Sequence, residues 1–199
     1  MINYIRNLRI RLKLYILIGV ALIGMLIIGG MSFLLMGRIN SMTSEISTSW
    51  LPSIDTARDL TATLANIRLN ELGYLTAVSD DIEASSLQYI QSEKKDMENL
   101  LTTYKELIDE EEQTFYENAR NLWTQYSKAD EEMIALAQQG NTQEARAILE
   151  GECVELYNSL NNAFHEIITY NTEGSDAATE ESLFLYRTAI FSMAAIILV

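Results

Sequence analysis

Proline, cysteine, histidine and glycine are scarce in this sequence. Among 199 residues there are one proline, one cysteine, one histidine and nine glycines. Because proline removes a helix hydrogen bond and glycine weakens helix interiors, their scarcity favours long uninterrupted helices. The single cysteine, Cys153, excludes a disulfide within the chain. We expect it to be a small core residue, since free cysteines are usually buried; an intermolecular disulfide is the alternative.

Basic residues are also few, and most of the acidic charge lies in one part of the chain. There are 14 Lys and Arg residues against 28 Asp and Glu residues, which gives a net charge of -14. Arg6, Arg9, Arg11 and Lys13 precede residue 14, whereas every acid follows residue 37. Such an acidic domain does not suit nucleic acid, whose phosphates need Lys and Arg. We therefore expect no nucleic-acid partner and a solvated acidic surface.

Signals of enzymatic chemistry are lacking. The sequence has no phosphate-gripping glycine loop, no Cys/His metal cluster and no Ser-His or Cys-His pairing at a plausible site. The acidic stretch Asp109–Glu112 is interpreted as a helix start and not as a metal site, because successive helical residues point in different directions and cannot converge on one ion. His165 is expected at the surface. The sequence thus predicts a protein that is not an enzyme and that has no cofactor and no metal site.

Long apolar runs are present, and they lie at the two ends. Residues 14–36 form a run without a charged residue, long enough to cross a bilayer and too long for an ordinary signal peptide. The preceding basic cluster places residues 1–13 in the cytoplasm and residues 37–187 outside the membrane. Residues 188–199 are apolar to the last residue and predict the start of a second, truncated transmembrane helix. A buried helix end is the alternative for that segment.

The middle of the chain predicts four helices separated by three loops. Each loop carries a residue pair with the spacing of a capping box: Asp80 with Glu83, Asp109 with Glu112, and Asn141 with Glu144. Gly140 suits a left-handed helix end. Apolar residues recur at alternating spacings of three and four, the rhythm of left-handed helix packing. In the first helix this stripe reads Ile54, Ala57, Thr61, Leu64, Arg68, Glu71, Leu75 and Val78. We expect an all-α, antiparallel up-down-up-down four-helix bundle flanked by transmembrane helices.

Two charged residues interrupt the apolar stripe of the first helix, and these are Arg68 and Glu71. Counting 1.5 Å per residue from the helix tips brings further polar residues to about the same depth. The predicted ligand-binding residues are Arg68, Glu71, Lys94, Tyr126, Tyr157 and Asn158. Arginine presents a planar fork that matches a carboxylate. The alternatives are that Arg68 pairs with Glu71 at a subunit interface, that Lys94 extends to solvent and that the tyrosines fill the core.

Three segments carry a family resemblance. They read RNLRIRLKL, WLPSIDTARDLTATLANIRLNELGYL and NLWTQYSKADEEMIALAQQGNTQEARAIL. In order and spacing the chain resembles the N-terminal half of bacterial methyl-accepting chemotaxis proteins with a four-helix-bundle sensor domain. The resemblance implies a homodimer in the bacterial inner membrane that binds amino acids or organic acids, with Arg68 at the position of the family's ligand-contacting arginine. In amino-acid-binding members of that family several arginines line the first helix around the pocket. Here Arg58 is the only other arginine near Arg68, so the resemblance favours a small carboxylate over an amino acid.

The predicted function is that of a chemoreceptor sensor region. The resemblance implies that the bundle binds a small molecule outside the membrane and passes a helix displacement to a cytoplasmic chemotaxis kinase and adaptor through a C-terminal half. The alternatives are the sensor region of a histidine kinase or a cyclase with the same bundle, and a ligand-free membrane-anchored adaptor for another protein.

Overall fold

The computed structural model describes residues 9–197, and this range is helical without a strand. Arg6, with the rest of residues 1–8 of the predicted cytoplasmic N-terminus, lies outside the described residues. The same holds for residues 198–199 of the predicted second membrane segment. By burial and core packing, the prediction of an all-α four-helix bundle is confirmed.

Six α-helices and one π-helical stretch make up the described chain. They are α1 (Ile10–Glu45), the π-helical stretch Ile46–Trp50, α2 (Leu51–Leu75), α3 (Asp80–Leu107), α4 (Gln113–Gln138), α5 (Thr142–Glu150) and α6 (Glu152–Ile197). The chain divides into two compact units, residues 47–175 and residues 1–46 with 176–199. The first unit holds the bundle, in which α5 and the first part of α6 together form the fourth helix. It is shorter at both ends than the predicted domain of residues 37–187.

The helix caps differ in detail from the predicted capping boxes. The cap of α3 is Ser79, one residue before the predicted Asp80; its hydroxyl accepts a hydrogen bond from the Ile82 N–H at 3.5 Å. Glu112 is the N-cap residue of α4 and makes no side-chain cap hydrogen bond; Asp109 Oδ1 instead accepts from the N–H groups of Glu111 and Glu112 in the turn before the helix. Asn141 precedes α5 without a side-chain hydrogen bond to it.

Gly140 has the left-handed conformation that the sequence predicts. Its φ is +80°, and the Asn141 N–H donates to the Leu136 carbonyl across the turn. Since residues with a Cβ rarely adopt this region, the glycine lets α4 end abruptly and the chain reverse into α5.

The buried face of α2 contains half of the eight residues of the predicted stripe, and its other members are neighbouring residues. The buried residues of α2 are Ser53, Ile54, Ala57, Leu60, Thr63, Leu64, Ile67, Glu71 and Tyr74. Leu60 and Ile67 thus replace the predicted Thr61 and Arg68. Both choices fit a rhythm of threes and fours, because a helix turn has 3.6 residues. The bulky apolar side chains take the centre of the core, where their burial stabilises most.

The fourth helix is interrupted at Gly151, between α5 and α6. A Cβ at this residue would lie 3.0 Å from the Ala147 carbonyl oxygen, tighter than most side-chain contacts. Directly after the break, Cys153 is fully buried, as the sequence predicts for a core cysteine. Residues of both α5 and α6, on the two sides of the break, belong to the same core.

Aromatic side chains pack around the residue that precedes α2. Pro52 lies in the first turn of α2, directly after the π-helical stretch, so its missing N–H removes one bond from the continuous helical run Ile10–Leu75. The preceding Trp50 packs on the backbone of α6 at Gly174, where a Cβ would lie 2.5 Å from the indole ring. Tyr170 lies beside Trp50, with ring centroids 5.9 Å apart. The close approach of ring and helix at this level requires glycine.

The second unit contains α1 and the end of α6. Helix α1 buries no residue, and its large apolar side chains, such as Phe33 and Leu26, are exposed. By length and composition, the helical run Ile10–Leu75 contains the single candidate membrane span found within residues 9–197. In the same unit Arg38 and Glu181 form an ion pair at 2.6 Å.

Candidate functional site

Two carboxylic acids are fully buried in the core of the bundle, and each lies beside a basic residue. Glu71 lies beside Arg68 of the same helix, and Asp130 lies beside Lys94 of a neighbouring helix. We call the set Arg68, Glu71, Lys94, Tyr126 and Asp130 the core charge layer. Its members come from α2, α3 and α4, and the side chains of Glu71 and Asp130 have no exposed surface. Burying charge without a partner costs several kcal/mol, about 2–7 even for a neutral polar group, so the partners determine what this layer can do.

Arg68 and Tyr126 hold Glu71 from two sides. The Arg68 guanidinium donates through Nη1 to Glu71 Oε2 at 3.1 Å, one helical turn away. The Tyr126 hydroxyl donates to Glu71 Oε1 at 2.7 Å. Arg68 also donates through Nη2 to the Leu149 carbonyl oxygen at 3.0 Å, near the end of α5. The side chain of Arg68 is 15% exposed, so it connects the core with the surface at the break in the fourth helix.

Lys94 plays the corresponding role for Asp130. Its ammonium group donates to Asp130 Oδ2 at 2.9 Å, to the Ser127 carbonyl at 3.2 Å and to Glu131 Oε1 at 3.2 Å. The Lys94 side chain is only 18% exposed. The alternative in which Lys94 simply extends to solvent is therefore wrong, because all three of its N–H groups meet acceptors in the bundle.

Burial, together with the neighbouring Asp130 charge, raises the pKa of the Glu71 carboxyl to about 8. The hydrogen bond from Tyr126 and the positive charge of Arg68 oppose this shift. Burial also raises the pKa of Asp130, although Lys94 works against it. Two like charges in one dry site cannot both be held easily, so the two acids compete for ionisation.

Four of the predicted site residues meet in the core charge layer, namely Arg68, Glu71, Tyr126 and Lys94. Lys94 belongs to the same layer through its bond to Asp130. Tyr157 is half-buried at the edge of the core, and Asn158 is exposed. Neither takes part in the hydrogen bonds that the described chain makes within this layer. Of the alternatives, the pairing of Arg68 with Glu71 is observed, inside a single bundle.

Asp130 is the member that sequence reasoning missed. It lies four residues after Tyr126 and three before Met133, both of which are buried, so the helical period allows it on the core face. A second signal was Lys94, a buried cation that required an acid on a neighbouring helix. Spacing in the sequence could not show which of the many acids on α4 is that partner.

A groove of about 360 Å³ opens beside the core charge layer, between α3 and α4. It is lined by Leu87, Ile90, Gln91, Lys94, Glu131, Ile134, Ala135 and Gln138. Its walls are mainly apolar, and its charged groups are the ion pair of Lys94 with Glu131. Such a surface suits a small molecule with an apolar part and one charged group.

A second buried polar cluster lies at the other end of the bundle. The Tyr104 hydroxyl donates to Glu112 Oε1 at 2.7 Å, and the Asn171 amide donates to the same oxygen. Burial and the Glu112 hydrogen bond raise the pKa of Tyr104. Glu112, predicted as a capping acid, thus connects α3, α4 and α6 instead. Tyr104 and Asn171 supply hydrogen bonds to the buried Glu112 carboxyl without a cation, so we interpret this cluster as a structural contact that holds α3, α4 and α6 together.

No group of three His, Cys, Asp or Glu residues in the described part of the chain is arranged to hold a metal ion. His165 is exposed, with its Nδ1 2.9 Å from the Asn161 carbonyl oxygen.

Comparisons with known proteins agree with this architecture. Residues 7–186 match the family described as a four helix bundle sensory module for signal transduction. A protein of Acetivibrio thermocellus named as a sensory transducer protein is 24% identical over 117 residues, which are 58% of this chain and 21% of that protein. The match thus spans about a fifth of the relative's length. The chain belongs to the family of four-helix-bundle sensory modules for signal transduction.

Proposed function

We propose that this chain is the sensor region of a membrane receptor of the chemotaxis type, which binds a small carboxylate outside the membrane. The observation that carries the proposal is the continuity of α6, a single helix from Glu152 to Ile197. It begins in the bundle, directly after the α5 segment whose Leu149 carbonyl accepts from Arg68, and it ends in an apolar segment. Because packed helices have few discrete arrangements, a small displacement of such a helix is passed along its length.

The proposed ligand contact is Arg68. Guanidinium has five N–H donors, and Arg68 uses one on Glu71 and one on the Leu149 carbonyl. A carboxylate that approaches the exposed edge of this side chain can take the remaining donors or replace the Leu149 carbonyl. Charge-assisted bonds of this kind are about twice as strong as neutral ones. Replacing a bond to α5 would change the contact between α2 and the fourth helix, which is the displacement that the proposal requires.

A thermal-shift screen of the 199-residue chain in detergent tests the ligand class. A ligand that binds only the folded state at 100 times its Kd stabilises by about 2.7 kcal/mol. We expect a rise in melting temperature with dicarboxylates such as malate or succinate, and none with glycerol. Arg68→Lys should abolish the rise, because an ammonium cannot present the fork. The matched control Arg58→Lys, on the exposed part of α2, should keep it. No response to any carboxylate or amino acid would contradict the proposal.

The proposed topology has residues 1–13 in the cytoplasm and residues 37–187 outside. It is supported by the basic cluster before residue 14 and by the exposed apolar surface of α1. A thiol introduced at Glu110 should react with an impermeant reagent in intact cells, in a background where Cys153 is replaced by alanine. A thiol introduced at Asn3 should react only after lysis. The opposite labelling pattern would reverse the orientation.

The receptor is proposed to act as a homodimer that signals to a chemotaxis kinase and its adaptor. The support is the family match together with the named sensory transducer, of which the chain covers a fifth. Analytical ultracentrifugation of the full chain in detergent should show a dimer whose population rises when the stabilising carboxylate is added. A monomer at every concentration, with that carboxylate present, would count against the dimer.

A further inference from the structure

Two carboxyl groups meet in the core of the bundle, one from α2 and one from α4. Glu71 and Asp130 have no exposed side-chain surface. Tyr126, one helical turn before Asp130 on the buried face of α4, donates to Glu71, which brings the two acids to the same level of the core. Ionised carboxylates carry acceptors and no donor, so two of them cannot form a hydrogen bond. A bond between these two groups therefore requires that one of them carries a proton.

One oxygen of the pair has no donor when both acids are ionised. Glu71 uses both of its oxygens as acceptors, for Arg68 and Tyr126, and Asp130 Oδ2 accepts from Lys94. Asp130 Oδ1 is buried and has no protein donor among the described residues. Leaving such an acceptor unsatisfied costs about 1–3 kcal/mol. A proton held on Glu71 would supply the missing donor.

Charged and titratable groups face the pair from every helix packed around it. Helix α2 contributes Arg68, α3 contributes Lys94, and α4 contributes Tyr126 and, at the rim, Glu131. The fourth helix contributes Cys153, whose thiol pKa the acids and burial raise to about 12, so that it stays neutral.

Arg68 and Lys94 balance Glu71 and Asp130 when both acids are ionised. The Glu131 carboxylate at the rim, whose side chain is 70% exposed, adds a further negative charge 3.2 Å from the Lys94 ammonium. With one proton on the carboxyl pair, these five groups together carry no net charge.

We propose that Glu71 and Asp130 together form a proton-binding site, through which the bundle responds to external pH. The proton bridges α2 to α4. Its release on the alkaline side leaves two adjacent anions and an unsatisfied Asp130 oxygen, and so weakens the packing of α2 against α4. The raised pKa of Glu71 is consistent with release near neutral to mildly alkaline pH. The proton-binding site shares Arg68 with the proposed carboxylate site, but it needs no added molecule and is tested without one.

Infrared spectroscopy of the 199-residue chain in detergent detects the proton directly. Exposed acids have pKa values of about 4 and are ionised at pH 6.5, so a protonated-carboxyl C=O band at that pH belongs to a buried acid. We expect such a band at pH 6.5 and its loss by pH 9.5. Its absence at pH 6.5 in the wild-type chain would overturn the proposal without any variant.

Substitutions assign the band to the pair. Glu71→Gln keeps the shape of the neutral acid and can donate to Asp130, so it should remove the band while the chain still folds. Asp130→Asn removes the neighbouring negative charge, so loss of the band should move to lower pH. A band that persists in Glu71→Gln, or a midpoint that Asp130→Asn leaves unchanged, would overturn the assignment.

Thermal melts report the consequence for packing. The wild-type melting temperature should fall between pH 6.5 and pH 9.5, and Glu71→Gln should remove most of that fall. Glu132→Gln, at an exposed position of the same turn of α4, should behave as the wild type does. Equal pH dependence in Glu71→Gln and Glu132→Gln would show that the carboxyl pair does not couple α2 to α4.

Discussion

Replacing Arg68 with alanine is the perturbation whose outcome the structure defines most closely. The side chain is 15% exposed and makes two hydrogen bonds, to the Glu71 carboxyl at 3.1 Å and to the Leu149 carbonyl at 3.0 Å. Its loss removes the cation beside a fully buried acid and the link from α2 to the end of α5. The free energy of unfolding should therefore fall, even though Arg68 lies at the edge of the core.

The magnitude depends on pH, because Glu71 can take up a proton. At pH 6 the acid is protonated, since its pKa is about 8, and the variant loses two hydrogen bonds from a charged donor. Bonds of this kind contribute about 1.5–3 kcal/mol each, less for the one that faces partly solvated surface, which gives a loss of about 3 kcal/mol. For a chain of this size that corresponds to a fall in melting temperature of about 6–12 °C.

The sign of the pH dependence follows from the raised pKa of Glu71. A carboxyl whose folded pKa lies above 4.5 stabilises the fold below that unfolded value, and the advantage is lost as pH rises to about 8. In the wild type the loss ends there, because above about pH 8 Glu71 is ionised in the folded chain as well as in the unfolded chain. Without Arg68 the folded pKa lies higher still, so the loss continues to pH 9. One pH unit corresponds to about 1.4 kcal/mol, so at pH 9 Arg68→Ala should be destabilised relative to the wild type by about 1.4 kcal/mol more than at pH 6.

Circular-dichroism melts of the full chain in detergent at pH 6 and pH 9 measure both effects. Arg58→Ala is the matched control, because Arg58 is on the same helix, is 65% exposed and approaches Asp55 only to 3.9 Å. An exposed pair of this kind contributes about 0–1 kcal/mol. Arg68→Ala and Arg58→Ala that melt alike at both pH values would refute the reasoning and would leave Arg68 free of a structural role.

Three further substitutions test separate parts of the structure by thermal melts. Tyr126→Phe removes the donor to Glu71, so it should cost about 1–2 kcal/mol and raise the pKa of that acid, which infrared titration would detect as later loss of the carboxyl band. Gly174→Ala should destabilise the chain, because overpacking against the Trp50 ring costs about 1–3 kcal/mol and outweighs the gain of about 1 kcal/mol in helix propensity; a higher melting temperature would contradict this. Gly140→Ala should cost about 1–2 kcal/mol at its φ of +80°, and an unchanged melt would mean that the turn adopts another conformation.

The comparison of sequence with structure is clearest at the helix ends and on the buried face of α2. Gly140 allowed the turn after α4 to be predicted from the sequence, because only glycine adopts the left-handed region at little cost. The cap at Ser79 was displaced by one residue, since Ser79 and Asp80 are both good capping residues and their order does not decide between them. Likewise a rhythm of threes and fours admits Thr61 or Leu60 at the same level of the stripe.

The sequence alone determined the four-helix architecture, since helix period, capping residues and the scarcity of proline act within single helices. It also placed Arg68, Glu71, Tyr126 and Lys94 at one depth, because rise per residue is fixed. Only the tertiary structure decided that Asp130 completes the set and that Arg68 reaches the Leu149 carbonyl. The physical reason is that rotation of one helix about its axis against the next depends on packing between helices, and packing determines which buried acid meets which cation.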